Sequence, residues 1–418
     1  MADSRYGERH RDIVPRSHSG EGESERMHRP HSGFHGRERP PHCSRREFLG
    51  MASLASGVAL LEASMLGAAQ ARAQATLSSR GAKLFDLEQV ADGIYAALAR
   101  PQAMINSNAA IFVNKHDVLV VDAHSKPSAV AALVAQLRRE VTSLPVRYVV
   151  NSHFHWDHIQ GDAAYGKRFP DVSFIASEAT RQLMAENATG RLKQSLEELP
   201  KQIEEQRAKL AKSTDSRERA FYQDQIAQLL AYRRELSQFT LELPDLTFKE
   251  GLTIHDDAHT LALSFQGRGH TAGDVMVFCP EKKAVATGDA LIGFLPNIAD
   301  GYPKEWPRTL EKVGKLEFEA VIPGHGFVDK NRILLRGLSG YIEELTEKVA
   351  KGSHQDKTKE ELQQEITVQS LQALAEGRYA DLVLATLKRF QPWYGTPPNL
   401  SEPVRANIAD IYSRLDAA

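Results

Sequence analysis

From about Leu84 onward the chain runs in short apolar blocks set between polar turns. GIYAALA (93–99) and NAAIFVN (108–114) read as strands, and DVLVVDAH (117–124) as a buried strand that ends at Asp122. KPSAVAALVAQLRREV (126–141) carries its apolar residues at helical spacing, and VRYVVNSH (146–153) is again a strand. Strand, helix and strand in succession make an α/β unit. Such units keep their sites just beyond a strand's carboxyl end, and here that stretch is rich in histidine.

Between 178 and 240 the pattern changes. Leu192, Leu196, Leu199, Ile203 and Leu210 recur at helical spacing, as do Tyr222, Ile226, Leu229 and Leu236 after the polar break KSTDS. This predicts a charged helical hairpin inserted between strands. The plain role is a solvated structural hairpin; a recognition arm or dimerisation element is the alternative. Strands resume with LTFKEGLTIH and HTLALSFQG (259–267), VMVFCPEKKAVATGD (275–289) reads as a hairpin, and FEAVIPGHG (318–326) holds the last strand. Helices are expected at 330–351, 358–376 and 378–390, then a Pro-rich turn, QPWYGTPPNL, and a terminal helix at 402–416. No internal repeat is visible.

The chemistry concentrates in NSHFHWDHIQGD (151–162), which places His153, His155, Asp157 and His158 within six positions. Crowded imidazoles repel one another if protonated, and burying them unpaired is costly. A metal resolves both problems, because neutral imidazole and carboxylate are good zinc ligands. Three later strands each end in one more candidate: His270 in GRGHTAGD, Asp289 in AVATGDAL and His325 in VIPGHG. Two zinc ions would use all seven. The first site takes His153, His155 and His270; the second takes Asp157, His158 and His325; Asp289 bridges them. Glycines beside three of these ligands let the backbone turn tightly.

H-x-H-x-D-H followed in order by His, Asp and His resembles the metallo-β-lactamase superfamily, over roughly residues 84–330. The resemblance implies an α/β fold, an αββα sandwich of two mixed sheets faced by helices, here with the hairpin inserted and a helical C-terminal extension (331–418). It also implies a dinuclear zinc hydrolase that attacks a carbonyl (ester, thioester, lactone or β-lactam) with a metal-bridging hydroxide. Asp157 would then be catalytic as well as a ligand, holding zinc, orienting the nucleophile and shuttling its proton. The TGD setting of Asp289 is similar to glyoxalase II and lactonases, and PGHG with the segment before it resembles a periplasmic branch associated with sulfur oxidation. Asp122 either orients a ligand histidine from behind or simply terminates its strand. Phe294, Leu295, Tyr302 and Trp306 either wall a pocket or belong to ordinary packing. His124 and His255 fall outside the ligand pattern.

Two rival classes remain open. One is an iron-dependent oxidoreductase of the same fold, resembling persulfide dioxygenases, with iron in place of zinc. The other is a binding protein that acts through the hairpin. A homodimer through the hairpin or the C-terminal helices is compatible with either.

Composition adds boundaries. The 418 residues are 42% hydrophobic and 25% charged, an ordinary globular balance, and a net charge of −2 gives no reason to expect nucleic acid. Two cysteines, Cys43 and Cys279, exclude a disulfide framework and a thiolate-rich metal site. SRREFLG (44–50) with its pair Arg45 and Arg46, an apolar run over 51–69 and ARAQA (71–75) resemble a twin-arginine export signal cleaved after Ala73. The expected location is therefore periplasmic or secreted, with a small-molecule substrate and no membrane span. Residues 1–43 read as a disordered leader extension containing six histidines, and Met27 is an alternative start.

Overall fold

The computed structural model describes residues 83–100, 107–375, 377–390 and 399–415. The segments read as an export signal and its leader, and most of the Pro-rich turn, lie outside them. Two mixed sheets form the centre. The first has seven strands in chain order: β1 (Phe85–Ala91), β2 (Ile94–Ala99), β3 (Ala109–Val113), β4 (Val118–Val121), β5 (Val146–Val150), β6 (Ser173–Ser177) and β7 (Leu246–Phe248). β1 to β4 pair antiparallel, and β4 to β7 pair parallel. The second sheet has the order β12-β11-β10-β9-β8, from β8 (Gly251–His255), β9 (Thr260–Phe265), β10 (Val275–Cys279), β11 (Ala284–Gly288) and β12 (Ala320–Pro323). Its pairs are antiparallel except β11 with β12.

Strand alternation sorts side chains into layers. Ile94, Ala96, Leu98, Leu119 and Val121 face Leu261, Leu263, Val275, Val277 and Ala286 across the space between the sheets. Their neighbours Ala97, Ala99, Val118 and Val120 point the other way, onto α1 (Pro127–Glu140) and Tyr165. On the far side Met276, Val285 and Val321 meet Trp306 and Leu310 of α6 (Trp306–Gly314) and the C-terminal helices. The fold is an αββα sandwich. Asn108 fastens the two sheets at the site end: its N–H donates to Gly324 O (2.7 Å) and its amide to the carbonyls of Pro323 (3.0 Å) and Gly326 (3.1 Å).

Two short helices follow β5, α2 (Trp156–Ile159) and α3 (Asp162–Arg168). The insertion is the expected hairpin, α4 (Glu178–Lys212) and α5 (Ser216–Leu236). Ser177 and Asp215 cap the two helices by accepting from backbone N–H groups. Leu199, Ile203, Leu229 and Leu236 form its seam, with Leu192, Leu196 and Ile226 at the margin; Leu210 is outside it.

The C-terminal extension differs from the expectation in detail. The helix anticipated at 330 begins later, as α7 (Ile333–Ser353), because Arg332 is left-handed (φ 56°) and the Asp329 carboxylate receives the N–H groups of Asn331 and Leu334. The helix anticipated over 358–376 is broken into α8 (Lys359–Glu365), a 3₁₀ turn (Val368–Ser370) and α9 (Gln372–Ala375). Ile366 is extended there and the Thr367 hydroxyl accepts from Ser370 N, a local bond that competes with continuing the helix. α10 (Arg378–Phe390) and α11 (Ser401–Ser413) match their patterns closely. Among the described residues no helix is long and apolar enough to cross a membrane.

Candidate metal centre

All seven candidate ligands lie in the loops and the short helix that follow strands β5, β9, β11 and β12. Beyond β5, Ser152 presents its N–H (2.8 Å) and hydroxyl (2.9 Å) to the Asp122 carboxylate, and His153 follows it into the interior. His155 occupies the N-cap of α2, which carries Asp157 and His158. His270 follows β9, Asp289 follows β11 and His325 follows β12. Two glycines make room. Gly288 has φ 51°, and a Cβ on Gly324 would lie 2.0 Å from Asp289 Oδ1, so the last two ligand strands can approach only with glycine there.

The side chains gather into three overlapping groups of metal-binding geometry: His153 with His155 and His270; Asp157 with His158 and His325; and Asp289 with His153 and His158. The first two are the expected pair of sites. The third places Asp289 against one residue of each. Its carboxylate is 3.6 Å from His158 Nε2, 3.6 Å from His270 Nε2 and 3.7 Å from His325 Nε2. His155 Nδ1 and His270 Nε2 face each other at 2.9 Å. Buried polar atoms normally have partners, yet His153 Nε2, His158 Nε2 and Asp289 Oδ1 have no hydrogen bond. Unpartnered nitrogen and oxygen donors converging on one space fit divalent metal ions of the borderline or hard kind.

A family model described as metallo-beta-lactamase superfamily matches residues 105–325, which is more than half the chain and includes every one of these side chains. The chain belongs to the metallo-beta-lactamase superfamily. A metallo-beta-lactamase type 2 from Bacteroides fragilis is 32% identical over 93 residues, which is 21% of this chain and 37% of that protein. Among solved structures, the sec-alkylsulfatase Pisa1 from Pseudomonas sp. aligns over 79% of this chain and 50% of its own, with a TM-score of 0.55 and 15% identity. A metallo-beta-lactamase from Pontibacter korlensis aligns over 62% of this chain and 99% of its own, with a TM-score of 0.45 and 19% identity. The superfamily consists mostly of metallohydrolases, and this chain has the fold and the His/Asp clusters of that class.

Electrostatics divide this superfamily site in two. Burial and neighbouring imidazoles hold His153 well below the usual histidine range, and burial does most to bring His270 down to about 3. Both are neutral, as ligand nitrogens must be. Burial also opposes charge on His158 and His325. It is overcome at His158 by Asp122, Asp157 and Asp289, and at His325 by Asp289 and Asp157, so both are held above the usual range. A potential that retains a proton on a buried imidazole attracts a dication to the same place. Burial works against ionising Asp157 and Asp289, but the surrounding histidines depress both below the usual carboxylate range.

The residues around the ligands settle several open readings. Asp122 orients a ligand candidate: its Oδ2 accepts from His158 Nδ1 at 2.8 Å, and it is left-handed (φ 71°) to do so. His124, also left-handed (φ 65°), is buried against Phe85 and bonded through Nδ1 to Ser107 O, outside the cluster. His255 is exposed at the end of β8. Trp306 and Leu295 belong to the core, although the Trp306 ring lies 5.5 Å from that of His270. Phe294 packs beside His325, and Tyr302 is covered by Arg268.

Pattern reading did not anticipate two contributors. Asp300 accepts from His155 Nε2 at 2.8 Å and binds Arg191 of the hairpin at 2.7 Å. Beside Asp157 lies a cleft of about 190 Å³ whose walls include Trp156, Leu199, Gln202 and Tyr232, so hairpin residues form one side of it. Lone polar residues in loops and on helices carry no periodic signal that would have marked them.

Proposed function

We propose that this chain is an exported hydrolase with two zinc ions, acting on a small carbonyl compound: an ester, thioester, lactone or β-lactam. The observation that carries the reading is the meeting of two ligand triads at Asp289, which reaches into both. His153, His155 and His270 would hold one ion; Asp157, His158 and His325 the other; Asp289 both. Zinc, when bound, supplies a water acidic enough to be ionised near neutral pH and polarises the carbonyl. Asp157 is the cluster member that also borders the cleft, so its carboxylate is the group to orient a water and carry its proton to the leaving group. Trp156, Leu199 and Tyr232 supply apolar surface for the rest of the substrate and limit the water that reaches it.

Metal analysis of the purified protein, followed by turnover on a panel of the four carbonyl classes, tests the reading. Two zinc ions per chain and hydrolysis of at least one class are expected. A chain that holds only iron and oxidises a persulfide, or holds zinc and hydrolyses none of the panel, would overturn it. Export rests on the order of paired arginines, apolar run and A-x-A. Lysine at both Arg45 and Arg46 should retain the precursor in the cytoplasm; undiminished release of a form starting near Gln74 would refute that route.

A further inference from the structure

His155 is the most exposed of the histidines in the first triad, and nothing in its own segment holds its second ring nitrogen. That nitrogen, Nε2, donates to Asp300 Oδ2 at 2.8 Å, from a loop 145 residues further along the chain. The same carboxylate oxygen receives Arg191 at 2.7 Å from helix α4 of the insertion. Arg191 is itself fixed: its guanidinium lies 4.7 Å from the Phe154 ring centroid, and Phe154 packs with Ile159 and Met184 where the hairpin meets the ligand loop. An imidazole whose Nε2 is committed as a donor must present Nδ1 as its lone pair, and Nδ1 is the atom that faces His270.

We propose that Asp300 and Arg191 are positioning residues for the first metal site: Asp300 sets the tautomer and plane of His155, and Arg191, through Asp300, makes the inserted hairpin part of that site. The inference rests on reading the cluster as a two-metal centre. Asp300 is a third exposed, so without Arg191 its side chain has solvent as an alternative to His155. The ion pair with α4 removes that alternative. It also follows that the hairpin, whose charge pattern reads as a solvated arm, has one face committed to the metal end of the fold.

Zinc titration in competition with a chromophoric chelator, read for two dissociation constants, tests this on Asp300→Ala, Asp300→Asn, Arg191→Ala and the Asp300→Ala/Arg191→Ala double variant. Thermal unfolding of each metal-free protein reports on the fold. Asp300→Ala should raise one zinc constant about 10–100-fold and leave the other unchanged, as removal of a histidine's carboxylate partner does elsewhere. Asp300→Asn, which keeps an acceptor oxygen for Nε2, should fall between it and wild type. Arg191→Ala should raise the same constant by a smaller factor and add nothing to Asp300→Ala, because it acts through that carboxylate. Metal-free unfolding midpoints should stay together. Unchanged constants in all variants, equal weakening of both ions, or additive effects with falling midpoints would each overturn the proposal. A wild-type chain that binds no zinc would overturn the two-metal reading and this inference with it; wild type binding two ions while the variants match it defeats this inference alone.

Discussion

Two carboxylate–histidine pairs support this centre, and they are built differently. Asp122 and His158 meet at 2.8 Å with side-chain exposures of 2% and 0%. Asp122 directly follows β4, His158 sits in the short helix α2 beyond the neighbouring strand β5, and Asp122 is further tied by two bonds from Ser152. Asp300 and His155 also meet at 2.8 Å, but at 33% and 12% exposure, and the carboxylate is steadied by an arginine from an insertion. The same contact distance therefore hides unequal dependence on the rest of the molecule. The first pair is inseparable from the sheet; the second can be altered while the sheet stands. Buried charge is held by its partners or not at all, whereas a partly solvated carboxylate always has water to fall back on.

That difference is open to attack, starting where the largest effect is expected. Asp122→Ala leaves His158 Nδ1 and the Ser152 N–H without a partner in a buried place, and the Ser152 hydroxyl with His153 Nδ1 alone. Breaking a buried charged pair from one side costs about 3–5 kcal/mol, a large share of a domain's stability. Chemical denaturation should show a loss of that size; a loss below about 1 kcal/mol, the range of exposed pairs, would erase the contrast with Asp300.

Asp289→Asn comes next. The amide keeps the size but loses the charge that offsets repulsion between two dications about 3.5–4 Å apart. One ion should be lost preferentially, with activity, while His153, His155 and His270 retain the other. Metal content after gel filtration decides it: two tightly held ions would show that the carboxylate is not a bridge, and loss of both with unfolding would make it a structural residue.

The smallest effect belongs to a third carboxylate, Asp86, at 36% exposure and paired with Arg100 and Arg389. The hydrogen bond from Arg100 leads in holding its carboxyl below the usual range, with Arg389 adding to it against burial. A depressed folded pKa stabilises above the unfolded value, about 3.9, and the contribution disappears as pH falls through the folded one. Asp86→Asn should therefore cost less than about 1 kcal/mol at neutral pH, given its exposure, and the gap to wild type should close in acid. A gap that widens as pH falls would contradict the sign.

The sequence reading reaches the seven ligand candidates because each follows an apolar run that alternation makes a strand, and chemistry narrows the options for histidines in that setting. It also reaches the hairpin, whose Leu199, Ile203, Leu229 and Leu236 seam is long and regular. β1 escapes it because FDLEQVA buries only Phe85, leaves most of its other residues half-exposed and shows no clean alternation. β6 escapes because SFIAS is five residues that run directly into a helix. The break at Ile366 depends on Thr367 bonding locally instead of continuing the helix, a choice between near-equal alternatives that composition does not reveal. Asp300 and Arg191 lie 109 residues apart, and only tertiary packing makes them neighbours.

The grip of Asn108 on Pro323 and Gly326 closes spans of 215 and 218 residues. Contacts so distant along the chain form late, because the entropy of closing the intervening loop must be overcome first. The segment so captured is the one that delivers His325, and it docks beside β11, which delivers Asp289. A chain still lacking residues beyond 320 holds all of the first triad and only part of the second. On the two-metal reading, order of assembly would become order of loading: an ion held by Asp157, His158 and His325 could enter only once the strand carrying His325 has docked, and its uptake during refolding would time that docking.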